Sequence, residues 1–139
     1  MDPDELDAFL NWEHPARLGV VGTLRTDGWP QVSPVWYRWD GKQVTIWADE
    51  GRIWVENARR DRRVAFSVQE EDWPFAAVVM RGRAGVVTGP DPEVSEEIRR
   101  ITRRYVPEDG VEAYVARWAD LRTIVTIKPE RITSWPSAG

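Results

Sequence analysis

The chain contains no cysteine and only one histidine among its 139 residues. The absence of cysteine excludes disulfide bonds, thiolate metal ligands and cysteine nucleophiles. His14 stands beside Pro15, and without a second histidine or a cysteine it cannot anchor a zinc site of the usual kind. Ser33 has no histidine nearby in sequence, and a catalytic triad at Ser33 would have to use His14. We therefore expect no metal site and no triad hydrolase.

Excess positive charge and long apolar runs are also lacking. Nineteen Lys and Arg residues against 23 Asp and Glu give a net charge of −4, whereas nucleic-acid binding by bulk attraction needs a basic face. Apolar runs such as 75–80 are too short to span a membrane. The acidic N-terminus lacks the basic and apolar regions of a signal peptide. We expect a cytoplasmic protein that binds neither nucleic acid nor membrane.

Tryptophan, in contrast, is abundant, with nine residues in a chain that is 42% hydrophobic and 30% charged. Such side chains can fill the core of a small β protein, or they can line a flat apolar cleft for an aromatic ligand. Composition leaves both interpretations open for different tryptophans. The length predicts a single globular domain, 1–139.

Short β-type runs and tight turns dominate the segment 17–66. Asp27-Gly28 and Asp40-Gly41 are strong hairpin signals, and Pro34 within the alternating run 31–39 indicates an edge strand or a bulge. Later strands are predicted at 63–68, 75–88 (bent near its two glycines), 123–128 and 132–135. Six or seven strands with turns at short intervals predict an antiparallel barrel with helices packed on it.

Four helices are predicted, at 4–12, 52–60, 93–105 and 111–118. The third carries a basic face whose glutamates, three or four residues earlier, predict ion pairs along the helix; a phosphate or RNA surface is the less favoured alternative. Around the second helix, arginine density favours anion binding, because a helix N-terminus and a guanidinium both suit phosphate. The basic residues of the third helix are Arg99, Arg100, Arg103 and Arg104, and those around the second are Arg52, Arg59, Arg60, Arg62 and Arg63.

The order of these features resembles the pyridoxamine-phosphate-oxidase-like, FMN-binding split-barrel superfamily, and most of all its actinobacterial F420-dependent (deazaflavin) reductases. The matching residues are 18–37, 45–48 and 51–66, and the similarity extends from about His14 to Trp135. The resemblance implies an antiparallel split β-barrel with peripheral helices. It also implies a homodimer with two cofactor sites at the interface.

The implied function is that of an oxidoreductase that transfers hydride from reduced coenzyme F420 to an unsaturated small organic substrate, with FMN as the alternative cofactor. In such proteins the cofactor carries the hydride while the protein supplies position and electrostatics. No catalytic side chain is assigned, although Tyr37 and Arg38 adjoin the groove and are candidate proton donors. The implied cofactor-binding residues are Ser33, Pro34, Val35, Trp36, Trp47, Ala48, Arg52, Trp54 and Asn57.

Trp54 departs from the family's R-x-K-x-x-N pattern, because tryptophan stands where the phosphate-binding lysine is usual. Losing a charge-assisted contact costs about 1.5–3 kcal/mol, or roughly ten- to a hundredfold in affinity. Three consequences are open: Arg52 and the helix amides suffice, Trp54 stacks on a different ligand, or the fold has lost this cofactor. The alternative function is a non-catalytic protein whose tryptophan-lined groove binds an aromatic or tetrapyrrole ligand.

Overall fold

The computed structural model describes residues 1–89, 91–117 and 122–135. Seven antiparallel strands form one sheet in the order β2-β1-β5-β6-β7-β4-β3. This confirms the mainly β, antiparallel fold class that the turn spacing indicates. The strands are β1 (Gly19–Leu24), β2 (Pro30–Val35), β3 (Tyr37–Trp39), β4 (Val44–Asp49), β5 (Arg63–Gln69), β6 (Ala77–Thr88) and β7 (Arg122–Trp135).

The sheet is curled into a split barrel by the connection between β2 and β3. These two strands form the opposite edges of the sheet, yet only Trp36 separates them in the chain. Two residue steps span at most about 7 Å, so the two edges must come together at this corner. In the described ladders β2 pairs with β1 and β3 with β4, and no pairing joins β2 to β3. The barrel therefore has a seam, and Pro34 lies on an edge strand as its sequence position indicates.

Four helices flank the sheet, close to the predicted positions. Asp2 caps the first by accepting a hydrogen bond from the Glu5 amide at 2.8 Å. Trp118, the last residue of the predicted fourth helix, lies outside the described residues. The helices are α1 (Pro3–Leu10), α2 (Ile53–Arg60), α3 (Pro92–Tyr105) and α4 (Glu108–Arg117).

Two apolar clusters divide the interior. The larger fills the barrel with alternate strand residues, including Val21, Ile46 and Phe66, and receives Trp54 and Val55 from α2. The smaller lies between the α3–α4 pair and the outer face of the sheet, and consists of Val94, Ile98, Val111, Val115 and Ile124 with Trp47 packed against it. Because Trp47 alternates with inward-facing neighbours along β4, it lies between the second cluster and the seam.

Two expectations about local structure are wrong. The predicted strands 123–128 and 132–135 are one continuous strand, β7, because a register irregularity at Arg81/Gly82 of β6 absorbs the interruption at Pro129. Arg104 is not part of the basic helix face. Its side chain is only 5% exposed, donates to the Leu10 carbonyl at 3.0 Å and lies over the Tyr37 ring at 4.6 Å.

Arg99 and Arg100 behave as predicted, whereas Arg103 lies 3.8 Å from Glu108 of α4. Arg100 pairs with Glu97 at 2.6 Å, and Arg99 lies 3.8 Å from Glu96. These intrahelical pairs neutralise much of the exposed basic face, which argues against an extended RNA-binding surface on α3.

Gly82 is expected to be intolerant of a side chain, because a Cβ there would overlap the backbone carbonyl of Lys128 on the neighbouring strand. We predict that Gly82→Ala lowers the free energy of unfolding by about 1–3 kcal/mol, as overpacking against backbone does. Gly22→Ala is the matched control, since its Cβ would lie an ordinary 3.6 Å from that of Ala65. Urea denaturation measures both; equal effects of the two substitutions would contradict the close approach.

Candidate functional site

A cleft of about 360 Å³ opens along the seam of the barrel. The β2–β3 corner forms one side, the end of β4 and the start of α2 form the other, and α4 contributes Tyr114. Seven of the nine cofactor-binding residues expected from the sequence come together here. The lining residues are Leu18, Pro34, Val35, Trp36, Trp47, Ala48, Asp49, Arg52, Trp54 and Tyr114.

Aromatic rings build the wall of the cleft around Trp36. Tyr105 stacks on Trp36 at 5.0 Å with an interplanar angle of 10°, and Tyr114 lies 5.4 Å away at 31°. Trp47 meets Trp36 edge-on at 6.2 Å and 81°. Offset and edge-on arrangements of this kind hold rings in defined positions. The wall is therefore apolar and ordered by its own contacts.

The β4–α2 turn supplies the charged end of the cleft. Gly51 adopts φ +90°, a left-handed conformation that lets the chain reverse between strand and helix. The Arg52 side chain is 63% exposed and lies 3.6 Å from the Asp49 carboxylate. Such an exposed pair is weak, so Arg52 can exchange Asp49 for another anion at little cost.

Glu50 fastens this turn to the sheet. Its carboxylate accepts hydrogen bonds from Arg59 at 2.6 and 2.9 Å and from the hydroxyls of Thr88 and Thr123. The Arg59 and Thr123 hydrogen bonds are the largest causes that lower the pKa of Glu50 from its ordinary value of 4.5 to about 2. Since Thr88 and Thr123 belong to β6 and β7, Glu50 joins the turn to two strands at once.

Trp54 belongs to the barrel core as well as to the cleft. It is 5% exposed and packs within the larger apolar cluster, so the position that is lysine in the family pattern is here an apolar floor. A lysine at this position would place a charge in that apolar cluster, and burying an unpaired charge costs free energy.

Two expected site residues do not line the cleft. Asn57 is buried, and its side-chain amide contacts the Thr23 hydroxyl at 3.2 Å and the Gln31 carboxamide at 3.4 Å. Ser33 is half-buried on β2, one position from Pro34 but on the other face of the strand. In this structure Asn57 ties α2 to β1 and β2.

The two candidate proton donors also point elsewhere. Tyr37 is fully buried in the barrel, its hydroxyl donates to the Leu10 carbonyl at 2.7 Å, and burial raises its pKa. Arg38 is held by Glu97 at 2.7 and 3.1 Å. Both residues belong to β3, beyond the Trp36 corner, where Tyr37 points into the barrel and Arg38 toward α3.

Sequence reasoning missed the cleft residues Leu18, Asp49 and Tyr114. Leu18 directly precedes β1 and Asp49 ends β4, so both adjoin expected site segments. Tyr114 comes from α4, which is distant in sequence, and no local pattern places it at the seam. Only tertiary packing of α4 over Trp47 and Trp36 brings it there.

Several arginines around α2 already form ion pairs or hydrogen bonds with other residues of the protein. Arg59 pairs with Glu50, Arg63 with Asp61 at 2.7 Å, and Arg60 donates to the Leu24 carbonyl at 2.5 Å. Among the described residues that line the cleft, Arg52 is the one basic side chain. The expected phosphate end therefore depends on Arg52 rather than on the whole cluster.

Membrane-spanning helices and metal-binding clusters are both absent from residues 1–89, 91–117 and 122–135. No helix in these ranges is both long and apolar enough to cross a membrane. The same ranges contain no cluster of three or more histidine or acidic side chains that could hold a metal ion.

The family model described as pyridoxamine 5'-phosphate oxidase matches residues 2–136, nearly the whole chain. The chain belongs to this family. The family assignment agrees with the seam, the aromatic wall and the position of the cleft. It makes the chain a member of a group of flavin- or deazaflavin-binding oxidoreductases.

Solved structures show the same architecture. A conserved hypothetical protein from Mycobacterium tuberculosis superposes with a TM-score of 0.80 at 25% identity, covering 97% of this chain and 84% of its own. A protein described as an F420 reductase gives 0.63 at 25% identity, with 84% and 89% covered. A protein related to general stress protein 26 from Clostridium acetobutylicum gives 0.68 at 14% identity, with 97% and 90% covered, and supports the fold alone.

The Glu50 contacts predict a pH-dependent stability. Because folding lowers the Glu50 pKa, its contribution is complete above the ordinary value of 4.5 and is lost as pH falls toward about 2. We expect Glu50→Gln to have a lower free energy of unfolding than the wild type at pH 7. This difference should become smaller below about pH 4.5. Urea denaturation across this range measures it. Glu71→Gln, on the exposed β5–β6 loop, is the control; a gap for Glu50→Gln that does not change with pH would contradict the prediction.

Proposed function

We propose that this protein is an oxidoreductase that binds coenzyme F420 in the seam cleft and reduces an unsaturated small organic substrate. The observation that carries the proposal is the aromatic cleft at the barrel seam, in a chain whose relatives include an F420 reductase. FMN is the alternative cofactor of the same class. When bound, the deazaflavin ring supplies the hydride chemistry.

The aromatic lining of the cleft supports the binding of a planar ring system. Trp36, Trp47 and Tyr114 offer aromatic surface, while Pro34 and Val35 form an apolar strand edge beside them. The Trp47 indole nitrogen is buried and has no hydrogen-bond acceptor within the described part of the chain. A buried donor of this kind is costly unless an acceptor arrives, and a ring carbonyl would provide one.

The protein's part in catalysis is then positioning and exclusion of water. Stacked Tyr105 and edge-on Trp47 hold Trp36 in place, so the ring-binding wall is preorganised. Glu50 holds the β4–α2 turn, and with it Arg52, against the sheet. Arg52 would bind the phosphate-bearing side chain of the cofactor. No described side chain in the cleft is assigned as a proton donor.

Titration with F420, FMN and riboflavin tests this proposal, with quenching of tryptophan fluorescence as the readout. We expect F420 to bind with a dissociation constant on the order of micromolar. Arg52→Gln should weaken FMN and F420 binding about ten- to a hundredfold, because it removes a charge-assisted phosphate contact. Riboflavin, which lacks the phosphate, should bind wild type and variant equally.

Arg63→Gln is the matched control, since Arg63 is an exposed arginine that pairs with Asp61 away from the cleft. It should leave all three affinities unchanged. Oxidation of reduced F420 that depends on an added conjugated substrate would establish turnover. If neither F420 nor FMN binds, the oxidoreductase proposal is wrong.

We also propose that the protein is a homodimer through the outer face of the sheet. Val20 lies opposite Pro34 on β2 and Ser67 on β5, and Ser67 lies opposite Val79 on β6, so these residues form one row across four strands. Neighbouring exposed apolar side chains extend this row, as a stable interface of about 800 Å² per partner requires. Because Pro34 borders both the row and the cleft, a second copy would flank each cofactor site. The exposed apolar side chains that extend the row are those of Leu18, Val32 and Trp135.

Val79→Glu should convert the dimer to a monomer, since a carboxylate in an apolar interface is unpaired. Sedimentation velocity measures the change. Val87→Glu is the control, because Val87 is equally a valine exposed on β6 but at the far end of the strand. A wild-type protein that sediments as a monomer at micromolar concentration would disprove the dimer.

The second candidate function is ligand binding without turnover. The observation that favours it is the buried Trp54, which makes the cleft floor apolar where the family pattern has a lysine. An aromatic or tetrapyrrole ligand would then occupy the cleft. Haem included in the same titration distinguishes the two: tight haem uptake with no binding of either flavin-type cofactor favours the binding protein.

A further inference from the structure

A second, smaller cavity of about 160 Å³ lies between α3, α4 and the start of β7. Apolar residues of the smaller cluster form part of its wall, and polar side chains form the rest. Ser95 and Arg99 come from α3, Glu112 from α4 and Arg122 from β7. The volume exceeds the roughly 30 Å³ share of one water several times over, so it can hold a small polyatomic ion.

Arg122 is the unusual member of this wall. The residue is 3% exposed, and none of its three guanidinium nitrogens has a hydrogen-bond partner among the residues that the structure describes. Its guanidinium lies over the Trp47 ring at 4.9 Å. Burial lowers the Arg122 pKa, and Asp49 opposes this shift through space without a hydrogen bond. A buried guanidinium with five unused N–H donors is among the costliest unpaired groups in a protein interior.

Among the described residues, the rest of the wall does not supply the missing acceptor. Glu112 is the acidic residue of the cavity, and its carboxylate already accepts from Arg99 Nε at 2.9 Å. Two arginines and one glutamate leave the lining with a net charge of +1. The hydroxyl of Ser95 adds a further donor. An anion with two or more acceptor oxygens matches this set of groups, because guanidinium binds such anions bidentately.

We propose that this cavity is a binding site for a small oxyanion, a phosphate or a carboxylate group, held by Arg122 with Arg99 and Ser95. The Arg122 nitrogens reach such an ion when the guanidinium turns from the Trp47 face toward the cavity that it lines. The site lies behind the cofactor cleft, with Trp47 between them, and it does not depend on the identity of the cofactor. Anion binding there would change the charge behind Trp47.

Thermal unfolding with inorganic phosphate or acetate tests the site, at pH 7 against sodium chloride of equal ionic strength. We expect a saturable rise in melting temperature with one of the two anions, because a ligand that binds only the folded state stabilises it. The anion that reaches half of its effect at the lower concentration shows whether the site prefers a phosphate or a carboxylate group. Arg122→Met should abolish the rise. Arg103→Met should retain it, since Arg103 lies on the same helix but pairs with Glu108 outside the cavity.

A second measurement needs no change at Arg122. The indole N–H resonance of Trp47 can be assigned with the Trp47→Phe variant. It should shift during the anion titration, because the Arg122 guanidinium leaves the Trp47 ring, and the midpoint of this shift should equal that of the rise in melting temperature. The proposed site would be overturned by any of three results: an unshifted Trp47 resonance, no saturable rise in the melting temperature of the wild type, or an equal rise in Arg122→Met. Any binding that is then seen would be that of an adventitious ion only.

Discussion

The whole arrangement depends on the single residue between β2 and β3. Because these strands are the two edges of one sheet and Trp36 alone connects them, the sheet has to curl until its edges meet. Trp36 lies between the two strands, and its large side chain lines the cleft at the seam. There it becomes the centre of the aromatic wall with Tyr105, Tyr114 and Trp47. Chain topology and ligand cleft thus have one cause.

Local patterns predicted most of the elements, and the resemblance to the split-barrel family supplied the general place of the cleft. Turn residues at Asp27-Gly28 and Asp40-Gly41 and the edge signal at Pro34 describe what each segment does on its own, and the structure agrees with them. The pattern could not show that 31–39 breaks at Trp36, since tryptophan is as compatible with a strand as with a corner. After that break the chain continues as β3, whose Tyr37 and Arg38 contact Leu10 and Glu97 and do not line the cleft.

The failures elsewhere share a physical reason. Arg104 follows the same spacing as its helical neighbours, but it lies where α3 crosses the barrel, and backbone carbonyls and an aromatic face compensate its burial. Asn57 fits a family motif, yet its partners in this structure are side chains of β1 and β2. Tyr114 joins the cleft through the packing of a distant helix. In each case a contact between segments far apart in the chain decides the role, and local spacing carries no information about it.

Four of the nine tryptophans take the two roles that composition allowed, whereas Trp12, Trp29, Trp73 and Trp135 are exposed. Trp39 and Trp54 are buried in the barrel, whereas Trp36 and Trp47 are half-buried at the cleft. The seam itself has a mechanical consequence. Since β2 and β3 each hydrogen-bond only to their other neighbour in the described ladders, moving them apart breaks no interstrand bond. The seam can therefore widen about the Trp36 corner while the hydrogen-bonded ladders of the sheet stay intact.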